Sequence, residues 1–170
     1  MTGTSGSASA GVQVCSLKVD TPQLVDPGTA YKVVRFPFGA AESSDRFEMH
    51  QVVQPDGYVV ADWSTDDRSG LIWPSKPGWG VLHAMVQWEA STATEFRDQY
   101  VRDPLGLTPN PNDTTATEHR SPTPGADYFV KTHGIFVDPA VPLALRVTHN
   151  DSAPRLLTLA EFKLAIFHAD

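Results

Sequence analysis

The chain has 170 residues, 41% of them hydrophobic and 19% charged, with a formal net charge of −7. That balance describes a globular domain able to bury its own core, and excludes wholesale disorder. No Lys/Arg run offers a stripe for phosphates, which argues against nucleic acid as a partner, and no apolar stretch reaches the ~18 residues of a membrane-spanning helix.

The first residues, MTGTSGSASAG, have neither a basic segment nor an apolar one, so the sequence predicts no signal peptide there. Residues 1–11 are expected to form an arm, either free or held by a partner, and residues 12–170 the domain. Cys15 is the sole cysteine, which rules out an internal disulfide, and its place in an apolar run suits a small buried hydrophobe.

Across the chain, 14 prolines and 12 glycines punctuate the sequence, and between them lie short runs rich in Val, Thr, Tyr, Phe and Trp. This is an all-β pattern. The predicted strands are 12–19, 31–36, 57–63, 81–89, 94–101, 127–137, 142–149 and 159–167, with parts of 40–54 and 113–120 as possible edge strands. Residues 81–89 alternate, Leu82, Ala84, Val86 and Trp88 on one face and Val81, His83, Met85, Gln87 and Glu89 on the other. The second face is mixed, as in a sandwich whose sheet also meets a neighbouring subunit. Segment 103–126, rich in proline and polar residues, is expected to be a long loop that meets partners. The last segment has helix-forming composition. Even so, Phe162, Leu164 and Ile166 alternate with Glu161, Lys163 and Ala165, so a strand is predicted.

No catalytic or metal constellation stands out, and no cofactor is expected. The histidines (His50, His83, His119, His133, His149, His168) include no HxH or HExxH spacing. His83, His133 and His149 lie on three predicted strands and are read as sheet or interface residues, with a shared metal site as the alternative. There is no GxSxG elbow, and Ser43–Asp45 and Ser64–Asp67 read as turns. Of the four tryptophans, Trp63 and Trp88 fall within strand patterns and are expected in the core. Trp73 and Trp79 flank the breakers Pro74, Pro77 and Gly78, where they either cap the sandwich or stack on a sugar.

The run Ser69–Gly70–Leu71–Ile72–Trp73–Pro74, then Pro77–Gly78–Trp79–Gly80 and VLHAMVQWEA, resembles the C1q/TNF-like jelly roll. In that family the corresponding segment crosses into a central strand. VDPAVPLALRVTHNDSAPRLLTLAEFKLAIF is similar to the family's closing strands, although Asp138–Pro139–Ala140 replaces its usual turn. The resemblance spans roughly residues 30–168. It implies a homotrimeric, non-enzymatic protein, of the kind found as virion components of tailed bacteriophages in capsid decoration, minor tail or baseplate positions. The expected trimer contacts are His83, Met85, Tyr128, Phe129, Phe136 and Phe162. The arm and the 103–126 loop are expected to meet major capsid or tail proteins, in a virion assembled in a host cytoplasm. The alternative is a carbohydrate- or receptor-binding module that uses Trp73 and Trp79.

Overall fold

The computed structural model describes residues 11–109 and 113–167. The expectation for the N-terminal arm lies almost wholly outside the described residues, as does that for His168. Nine strands form two antiparallel sheets: β1 (Gln13–Val19), β2 (Gln23–Val25), β3 (Lys32–Val33), β4 (Gly78–Trp88), β5 (Phe96–Arg102), β6 (Asp113–Arg120), β7 (Asp127–Val137), β8 (Leu143–His149) and β9 (Arg155–Phe167). One sheet runs β1-β9-β4-β7, with β2 also pairing β9; the other runs β3-β8-β5-β6. This order is a jelly-roll sandwich.

The alternation read from the sequence sets the core. Cys15 and Leu17 on β1, Leu82 and Trp88 on β4, and Phe162, Leu164 and Ile166 on β9 meet Phe96 and Tyr100 of β5 and Leu143, Leu145 and Val147 of β8. Their rings pack closely: Trp88 stacks on Phe96 with centroids 4.8 Å apart, and Phe162 lies 6.0 Å from Tyr100. A smaller cluster covers the far side of the second sheet, where Leu71 and Trp73 press on Val33, Val101 and Ala144. Burial pushes the Cys15 thiol well above its ordinary pKa, and the nearby Asp45 carboxylate adds to this. The thiol is therefore un-ionised.

Polar groups cross the gap between the sheets at the β5–β7 end. Lys131 Nζ donates to Asp98 Oδ1 at 2.7 Å, and Arg120 Nε donates to Asp98 Oδ2 at 2.7 Å. Tyr100 Oη donates to the Lys131 carbonyl at 2.8 Å. Lys131 and Asp98 are both buried. Such a pair adds little net stability over an apolar one, but it penalises any register that leaves either charge alone.

Several boundaries differ from the sequence reading. β4 begins at Gly78, ahead of the expected 81, because Gly80 sits where a Cβ would meet Val137 Cγ1 at 2.8 Å. Here glycine is a close-packing strand residue rather than a breaker. Residues 57–63 form no ladder; Val53 and Val59 share only an isolated bridge. Of 31–36, only Lys32–Val33 pairs as a strand, and 40–54 contributes only isolated bridges, Ser44 to Ser16 and Val53 to Val59. Within the expected 103–126 loop, residues 113–120 form the edge strand β6, which the sequence reading allows for.

Two predictions follow from this packing. Phe162→Ala removes a fully buried ring between the sheets and should cost about 3–5 kcal/mol in a denaturant titration. The second concerns Asp151, which accepts from Thr92 Oγ1 (2.9 Å), Ser152 N (2.7 Å) and Arg155 Nε (2.6 Å) in the β8–β9 turn. The Arg155 hydrogen bond foremost holds the carboxyl far below its ordinary value of about 4. A depressed carboxylate stabilises the fold above its unfolded-state pKa, and that contribution is lost as pH falls below about 4. Asp151→Asn should therefore lower stability at neutral pH and flatten the acid limb of a stability–pH profile.

Candidate interaction face

Each strand of the β1-β9-β4-β7 sheet sends alternate side chains away from the core, and the register sets them in rows. One row is Phe167–Trp79–Phe136, and the next is Val14–Ala165–Val81–Gly134. Then come Ser16–Lys163–His83–Thr132, Lys18–Glu161–Met85–Val130 and Leu159–Gln87–Tyr128. The face is thus apolar and aromatic at one end, polar across the middle, and apolar again along β7.

The edge strand β7 is the least covered part. Tyr128 is 59% exposed, Val130 65% and Phe136 70%, and Trp79 is 41% exposed beside them. Trp79 meets Phe136 edge-on, with ring centroids 4.9 Å apart. Its indole lies across Gly134, where an added Cβ would come within 2.4 Å of Trp79 Cζ2. The glycine therefore creates the seat for the ring. In the middle row, Thr132 Oγ1 and His83 Nδ1 lie 3.2 Å apart, and Lys163 Nζ pairs with Glu161 at 3.5 Å. A shallow hollow of about 170 Å³ opens among His83, Met85, Val130, Glu161 and Lys163.

Of the six expected contact residues, His83, Met85, Tyr128 and Phe136 lie on this face. Phe162 does not: alternation turns it inward, where it is fully buried against Phe36 and Tyr100. Phe129 is also turned inward, because it neighbours Tyr128 on a strand and adjacent residues point to opposite faces. It packs against the core, 5.9 Å from Phe96, with the Arg120 guanidinium over its ring. Both residues are corrected to core positions. Val14, Val130 and Phe167 share this face without having been singled out; the parity of Tyr128 and Phe136 would have given Val130.

The two loop tryptophans part company. Trp73 is only 6% exposed and belongs to the cluster beneath the second sheet, so it offers no flat surface to a ligand. Trp79 lies in β4 rather than in a loop. The three strand histidines do not converge either. His83 faces outward, while His133 stacks on Tyr100 and His149 is buried with Nε2 bonded to the Val25 carbonyl. Among the described residues no three His, Cys, Asp or Glu side chains group to hold a metal.

No protein-family model and no curated protein sequence matches the chain. Its backbone is similar to solved structures. The globular domain of zebrafish complement 1qA superposes with a TM-score of 0.62 at 9% identity, covering 94% of this chain and all of that one. Murine APRIL at pH 5.0 gives 0.55 at 10% identity over 91% of this chain and 100% of APRIL. Eiger TNF from S. frugiperda gives 0.51 at 10% identity, covering 94% of each. At these identities the likeness speaks for the fold alone, which is the C1q/TNF-like jelly roll.

Proposed function

We propose that this chain is a non-enzymatic structural protein that assembles as a homotrimer through the outer face of the β1-β9-β4-β7 sheet. One observation carries the reading: Tyr128, Val130 and Phe136, with Trp79 and Phe167, leave an apolar surface along an edge strand. A flat apolar edge strand is a pairing and aggregation hazard unless another surface covers it. Three copies of the same face would cover it, at the cost of desolvating the two central rows that carry Lys163, Lys18 and Glu161. A stable contact of this kind buries at least about 1,000 Å².

The setting we propose is the virion of a tailed phage, where the trimer decorates or cements the capsid or sits on the tail or baseplate. The sequence resemblance motivates this setting. β6 supports it in one respect, since it offers an outer edge of the second sheet to a capsid or tail protein. The rival reading, a glycan or receptor module built on Trp73 and Trp79, loses Trp73 to burial.

Sedimentation equilibrium at micromolar concentration should give three times the 18.5 kDa chain mass. Val130→Glu combined with Phe136→Glu should raise the dissociation constant at least about a hundredfold, or about 2.8 kcal/mol, with the circular dichroism spectrum unchanged. A wild-type chain that stays monomeric would contradict the trimer. Mass spectrometry of purified phage particles tests the setting separately; absence of the chain from them would remove it.

A further inference from the structure

A second surface feature lies beyond the edge of β1, away from the aromatic end of the sheet. Trp63, expected in the core, is only partly buried: it packs against the main cluster and also lines a cleft of about 370 Å³. Lys18, Asp20 and Thr21 at the end of β1 form one wall, and Pro37 and Ala41 the other. The walls are held firmly. Val19 pairs with Ala160 in the sheet, Ser43 and Ser44 bond to the Ser16 carbonyl at 3.0 Å, and Ser69 Oγ ties to the Trp63 carbonyl at 2.7 Å.

The polar groups around the indole are uncommitted. Among the described residues, Lys18, Asp20 and Thr21 make no side-chain hydrogen bond or ion pair, and all three are exposed. The cleft lining therefore combines one indole with residues that carry an ammonium, a carboxylate and a hydroxyl. Each possible ligand class makes a different demand on that set. A purely apolar ligand would desolvate three polar groups and satisfy none of them. An ion of either sign would meet its own charge in Lys18 or Asp20. A pyranose ring fits both parts: its C–H face packs on the negative face of an indole, and its hydroxyls donate to Asp20 and Thr21 and accept from Lys18. The larger cleft beside Phe38 lacks this character, since its His50 is already engaged by Glu42 and the Ser69 carbonyl.

We propose that the Trp63 cleft is a carbohydrate-binding site for one or two pyranose units of a neutral glycan. Trp63 is the stacking platform, and Asp20, Thr21 and Lys18 read the hydroxyls. The site is built within one chain and shares only Lys18 with the outer face of the trimer proposal. On a multimeric particle, weak sites of this kind would combine their affinities.

The test uses the full chain and four disaccharides: maltose, lactose, cellobiose and chitobiose. Each is titrated to about 50 mM, in the range where small, partly exposed sugar sites bind. The readout is the indole N–H signals of the four tryptophans in a nitrogen-edited NMR spectrum. At least one sugar should shift the Trp63 signal saturably and leave Trp88 unmoved. Because Trp63 also supports the core, the variant is Asp20→Ala with Thr21→Ala, two exposed residues whose loss leaves the fold intact. It should weaken the sugar at least about tenfold. The proposal is overturned if none of the four sugars moves Trp63, if the shift falls on Trp79 instead, or if the double variant binds as tightly as the wild type.

Discussion

The structure depends on the register of β9 between β1 and β4. From Ala160 onward every second residue of β9 enters the core (Phe162, Leu164 and Ile166), and the residues between them (Glu161, Lys163 and Ala165) form the middle of the outer face. A slip of one residue would exchange the two sets and destroy both surfaces at once. The register is fixed by contacts that tolerate no shift. Gly80 fits under Leu164 and Val137, Gly134 fits under Trp79, and Lys131 reaches across to Asp98. The buried ion pair is weak as a source of stability and strong as a check on alternatives.

The same alternation explains why the outer face is divided. Its apolar end gathers Trp79, Phe136 and Phe167, and its middle holds Lys163, His83 and Glu161. A face for solvent would be polar throughout, and a face for the core would be apolar throughout. The mixture suits a surface that is covered by its own kind while keeping enough charge to fix orientation. The Trp63 cleft lies beyond the β1 edge of this sheet, so self-association and ligand capture would overlap only at Lys18.

Much of the fold was legible in the sequence because alternation is a strict code. It chose a strand over a helix for residues 159–167 despite their Leu, Ala, Glu and Lys content, where the observed strand starts earlier, at Arg155, and it placed 127–137 with the observed bounds. It failed where the deciding information is not local. Gly78 read as a breaker, and only the neighbouring strand shows why β4 needs it small: an added Cβ would meet the Phe167 carbonyl oxygen at 2.6 Å. Residues 57–63 have strand composition yet lack a partner beyond one bridge. Tyr128 and Phe129 were both taken for contact residues, although neighbours on a strand cannot share a face. Trp73 is buried, as its capping reading allowed, and Trp63 is only partly buried, because exposure of a tryptophan depends on which segment folds over it: Leu107 and Val101 pack near Trp73, whereas Trp63 keeps a side open to the cleft.

The central claim is that the outer face of the β1-β9-β4-β7 sheet is covered in the working protein. Hydroxyl-radical footprinting of the wild-type chain at high concentration tests it most directly. In the isolated chain Tyr128 and Phe136 are 59% and 70% exposed, and Tyr58, far from that face, is 43% exposed and serves as the internal control. The account predicts that Tyr58 is oxidised readily while Tyr128, Phe136 and Trp79 are protected, and that dilution restores their reactivity. Oxidation of Tyr128 and Phe136 at rates that match their isolated-chain exposure, at every concentration, would contradict it.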